Sequence, residues 1–257
     1  MEDFTNSAKR IHNYIGKLVS QKDDLPTSVA WAEVFGLDSK IAKTDPHDVQ
    51  TKLSMLRTEL DLLTSTMNGT PYESALYNPY IDRVRRVISV GNLAAPWSSY
   101  KGNIGPDTLL ALRWCAAVLP DEPTADKSEL DRLLSDISNL RTSIQDSSIN
   151  VSIRDFVERQ LEIIERAIHE YPMRGGSALN RAFTDAVDDM SAHVEELQET
   201  DSTDAHTLTE LRKLWTDLRN TGGGEIVTNR LAEAMLGLYQ KDKSLYESTK
   251  RFLDHQP

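Results

Sequence analysis

The chain has 257 residues, 39% apolar and 27% charged, with a mean hydropathy of -0.46, long enough to bury roughly three quarters of its unfolded surface. Its formal charge is -11: residues 1–120 carry 13 basic and 13 acidic side chains, leaving 16 and 27 for residues 121–257, a balance that disfavours a duplex nucleic-acid clamp in the C-terminal half and leaves the N-terminal half open. One cysteine, Cys115, excludes internal disulfides and multi-cysteine zinc sites, and the longest apolar run, Trp114 to Leu119, is far below the roughly 20 residues that span a bilayer.

The first ten residues lack the basic start and apolar stretch of an export signal, so a soluble, cytoplasmic protein is expected, with no membrane partner. Phe4, Ala8, Ile11, Ile15 and Leu18 then recur at helical spacing and predict a helix with one buried stripe. A shorter helix is predicted near residues 28–36. Asp45-Pro46 opens the clearest segment, as N-cap and first helical residue. Behind it Val49, Leu53, Leu56, Leu60, Leu63 and Met67 alternate in steps of four and three. Asn68-Gly69 is expected to end this helix in the left-handed cap conformation, and Pro71 cannot continue it.

Residues 72–88 predict another helix, carrying the only basic cluster, Arg83, Arg85 and Arg86. The cluster is either a solvated helix face or part of a contact surface to which Arg83 and Arg86 contribute. Asn92 to Gly105 shows no helical pattern and holds Trp97 and Tyr100. Such a loop is either a recognition surface, because Trp and Tyr offer large contact area at low entropic cost, or a plug in which Trp97 folds into the core. A helix near residues 107–119 places Cys115 among apolar neighbours, as an inert core thiol.

Leu119-Pro120-Asp121-Glu122-Pro123 is a stiff polar connection that coincides with the charge step. It predicts an aromatic-rich, neutral subdomain over residues 1–120 and an acidic helical subdomain over residues 121–257. In the second, Leu130, Leu133, Ile137, Leu140 and Ile144 mark one helix, and Ile153, Val157, Ile164 and Ile168 the next. The latter is expected to stop at Tyr171. Pro172-Met173-Arg174-Gly175-Gly176 would then turn the chain into an antiparallel helix marked by Leu179, Phe183, Ala186, Met190 and Leu197. Leu208, Leu211, Trp215 and Leu218 mark a further helix, Gly222-Gly223-Gly224 a joint, and residues 227–253 a last helical region. No period-two alternation of β-branched residues occurs. The fold class is therefore all-α: an antiparallel helical bundle of about nine to eleven amphipathic helices without a sheet.

Two places invite chemistry. His193 falls on the seam after Met190, with Asp189 and Glu196 beside it, and the preceding helix offers Glu165 and His169 at a spacing of four. These are candidate metal ligands; the alternative is a seam histidine among surface charges. Arg174, Gly175, Gly176 and Arg181 combine exposed amides at a helix start with two guanidiniums, a candidate anion site. The alternative is a turn that needs glycine, with Ser177 as N-cap.

No nucleophile elbow, zinc-protease motif or nucleotide-binding glycine loop is present, and no histidine has the upstream arginine that marks helical HEPN ribonucleases. No catalytic residue is assigned and no cofactor is expected. The leading expectation is a non-enzymatic helical scaffold or adaptor acting on a protein partner or as a homo-oligomer. The alternatives are a metal-dependent helical hydrolase or nuclease using carboxylates and histidine, and an acidic accessory protein in toxin neutralisation or host defence.

Overall fold

A computed structural model of the chain describes residues 5–145, 149–192 and 202–221. Among them the structure is all-α: eleven α-helices, two short 3₁₀ turns and no strand. None of the described helices is long and apolar enough to cross a membrane. The chain divides into two units, residues 1–122 and 123–257.

The first unit contains α1 (Ser7–Val19), α2 (Thr27–Phe35), α3 (Ser39–Thr44), α4 (His47–Asn68), α5 (Asn78–Val87), α6 (Ser98–Lys101) and α7 (Pro106–Val118). Asn6 caps α1, its Oδ1 accepting from the Lys9 N–H, and Ile11, Ile15 and Leu18 are fully buried. Phe4 lies outside the described residues. In α4 the stripe Val49, Leu53, Leu56, Leu60, Leu63 and Met67 is buried throughout; the helix begins one residue later than expected, with Pro46 rather than Asp45 at the cap position, while the Asp45 carboxylate still accepts from the His47 N–H. α1 packs on both α4 and α7, so three amphipathic stripes close one core.

Two details of the first unit differ from expectation. α4 ends on Gly69 in right-handed geometry, with its N–H bonded to Thr66 O, so the left-handed cap is absent there. It occurs instead after α2, where Gly36 has φ 71° and Leu37 N–H reaches Ala32 O at 2.9 Å. The stretch from Asn92 to Gly105 is also not a free loop. Pro26 and Pro96 form an isolated bridge, Thr27 N–H donates to Ala95 O, and Trp97 N–H donates to Leu25 O. Stitched this way, the segment drives the Trp97 side chain into the core, where it is 0% exposed.

The second unit contains α8 (Lys127–Gln145), α9 (Val151–Arg174), α10 (Gly176–Ala192) and α11 (Ser202–Thr221). α9 is its hub, packing against α8, α10 and α11 around Phe156, Leu161, Ile164, Phe183 and Trp215. The expected five-residue turn between α9 and α10 shrinks to one residue. Pro172 lies inside the last turn of α9, and Gly175 alone, at φ 54°, reverses the chain. Its N–H still reaches Tyr171 O at 2.8 Å, which closes the helix end. The glycine joint at 222–224 and the helical region at 227–253 lie outside the described residues.

Candidate interaction surface

Proline at the start of α5 and α7 fixes where each helix begins, and the buried sets follow from there. α5 buries Ile81, Val84 and Val87; α7 buries Thr108, Leu112, Cys115 and Ala116. At 100° per residue this points Leu110 straight outward, and it is 68% exposed. Trp114, one turn further along α7, is half-buried, and the Tyr72 ring meets it edge-on at 5.2 Å between centroids. Tyr72 is itself 45% exposed and belongs to Pro71–Leu76, a connection exposed along its whole length. Leu110 and Trp114 lie one turn apart on α7, and Tyr72 extends the aromatic part of that surface from the preceding connection.

The same unit carries a shallow groove of about 490 Å³, lined by Ser74, Ala75, Asn78, Pro79, Asp82, Arg83 and Arg86. Arg83 and Arg86, selected from the sequence, meet here. Arg83 is held in place: its Nη1 donates to Asp107 Oδ2 at 2.6 Å, and its guanidinium lies over the Tyr80 ring at 5.3 Å. The hydrogen bond from Arg83 holds the Asp107 carboxyl below its ordinary range. Arg85 pairs with Asp61 at 2.7 Å. Two of the three clustered arginines are therefore neutralised within the unit, which leaves little net positive field for phosphate. Tyr100 is half-buried in α6, and Trp97 offers no surface to a partner. Burial raises the Cys115 thiol to about 11, fitting an inert core thiol.

In the second unit two of the candidate metal ligands, Asp189 and Glu165, are engaged by other side chains. Asp189 accepts from Arg159 Nε and from Gln160 Nε2, each at 2.9 Å, and the fully buried Gln160 also accepts from Trp215 Nε1 at 3.1 Å. This network ties α9 to α10 and α11. Glu165 takes a hydrogen bond from Arg141 Nη2 at 3.1 Å, while His169 is exposed. His193 and Glu196 lie outside the described residues. Among the described residues no group of three or more His, Cys, Asp and Glu side chains is placed to hold a metal ion.

The proposed anion cradle is similarly occupied. Arg174 is buried and paired with Glu170 at 2.9 Å, and Arg181, 61% exposed in its side chain, faces Asp185 at 3.9 Å. Ser177 is not an N-cap; its hydroxyl donates to Arg174 O, because α10 already begins at Gly176. The Ala178 N–H at that helix start is bonded to Gly175 O.

Gln160 and Glu59 are the polar groups that the sequence reading passed over. Gln160 falls at helical spacing between Val157 and Ile164, whereas Glu59 stands beside an unbroken apolar stripe and leaves no gap in the pattern. No family model, curated protein or solved structure matches the chain.

Proposed function

We propose that the protein is a non-enzymatic helical scaffold or adaptor that associates with a protein partner or with further copies of itself through the Leu110–Trp114–Tyr72 surface. The observation that carries this reading is Leu110, 68% exposed on the outer face of α7, one turn before Trp114, whose ring meets that of Tyr72. Single exposed leucines are ordinary, whereas a leucine joined to a Trp–Tyr pair makes a patch with hot-spot chemistry. Withdrawing such a side chain from water contributes about 1.5–3 kcal/mol to association. The ion-paired state of Arg83 and Arg85 supports an interface driven by apolar contact rather than by charge.

Native mass spectrometry of the purified chain, wild type against Leu110→Asp, tests this. Expected is an oligomer, or a retained protein partner, that the substitution disperses with little change in Tm, since Leu110 is 68% exposed in the monomer. A wild-type monomer that retains no protein, or an assembly indifferent to Leu110→Asp, would refute the proposal.

A further inference from the structure

The two ends of the first unit are clasped together. Thr5 Oγ1 donates to Glu122 O at 2.7 Å, Glu122 N–H donates to Thr5 O at 3.2 Å, and Asn6 Nδ2 donates to Ala116 O at 2.9 Å and lies within reach of Leu119 O and Pro120 O. Above them Arg10 is shared between two acids. Its Nε and Nη2 reach Glu59 Oε2 at 3.0 and 2.7 Å, and its Nη1 and Nη2 reach the two carboxylate oxygens of Glu122 at 2.6 and 3.1 Å. The acids are unequal: the Glu59 side chain is 1% exposed, that of Glu122 32%.

This inequality has a physical consequence. Removing the buried acid leaves Arg10, only 13% exposed, with half its compensation gone. Removing the outer acid leaves Arg10 still doubly bonded to Glu59, with no buried charge stranded. We propose that Glu122 is a releasable latch: the segment from Pro120 to Glu122 can leave α1 while the core of the unit stays folded.

Release would lengthen the connection to the second unit. Ala125 is anchored there, its N–H donating to Tyr171 Oη at 2.6 Å, so with the latch closed only Pro123 and Thr124 are untethered. Opening adds Pro120, Asp121 and Glu122, roughly 10 Å of reach for three extended residues.

Hydrogen–deuterium exchange on the full chain, read peptide by peptide alongside Tm, tests the latch with Glu122→Gln and Glu59→Gln. For Glu122→Gln, exchange in peptides covering residues 119–124 should rise about tenfold while α4 and Tm stay near wild type, as for a local opening. For Glu59→Gln, exchange should rise across the whole unit and Tm should fall, or the chain should fail to fold. Unchanged exchange at residues 119–124 in Glu122→Gln would overturn the proposal. So would a unit-wide rise, or failure to fold, in that same variant, because Glu122 would then be a core strut.

Discussion

Gln160 offers the sharpest test of how the second unit is held together. It is 0% exposed, accepts from the Trp215 indole at 3.1 Å, and donates to Asp189 at 2.9 Å and to Ala186 O at 3.3 Å. Gln160→Met conserves volume, so little cavity cost arises. What remains is a buried indole N–H with no acceptor, about 1–3 kcal/mol, and an Asp189 carboxylate deprived of one donor. The expected loss is about 2–4 kcal/mol, read from urea denaturation followed by far-UV circular dichroism. Trp215→Phe supplies the other arm of a double-mutant cycle, since it removes the donor that Gln160→Met would orphan. The two losses should couple by at least about 1 kcal/mol. Losses that simply add would show that Gln160 and Trp215 are not coupled, and a Gln160→Met variant as stable as wild type would show that the buried network contributes no net stability.

Two further outcomes follow from the first unit. Gly36→Ala places a methyl group in open space but forces an L residue to φ 71°, so the cost is backbone strain alone, about 1–2 kcal/mol by thermal denaturation. Burial, reinforced by Lys9 and Arg113, holds the His12 imidazole below its ordinary 6.5. The unfolded chain then binds the proton more readily. The associated stability is fully present above about pH 6.5 and is lost as pH falls through the lower folded value. His12→Gln should therefore flatten the dependence of Tm on pH between about pH 7.5 and pH 5.5, and an imidazole titration by NMR should show a midpoint below 6.5.

The helices were legible wherever burial is one-sided. The α4 stripe repeats in steps of four and three with no polar interruption, and all six stripe residues are fully buried. α9 shows where the method thins. Between Val157 and Ile164 the stripe is continued by the buried Leu161, and Gln160 beside it, also buried, carries the unit's hydrogen-bond network without breaking the apolar pattern. A polar residue in a seam announces a partner without naming it; here Asp189 lies 29 residues away on another helix. For the same reason Asp189 drew attention as a metal ligand while its role in the described structure is to hold Arg159 and Gln160. The stretch from Asn92 to Gly105 was opaque because backbone bonds to residues 23–28 position it, and no local periodicity encodes them. The surface at Leu110 was equally hidden, since its exposure depends on which side of α7 meets the core.

The clasp between Thr5 and Glu122 also bears on the order in which the chain can mature. Its contacts span 110 to 117 residues, among the longest separations in the described residues, whereas α9 and α10 meet across a single residue. Loop-closure entropy must be paid before such distant ends reward one another. During synthesis the clasp can therefore close only once residue 122 has been made, after every helix of the first unit has been translated. The α9–α10 hairpin, in contrast, can form as soon as it is translated.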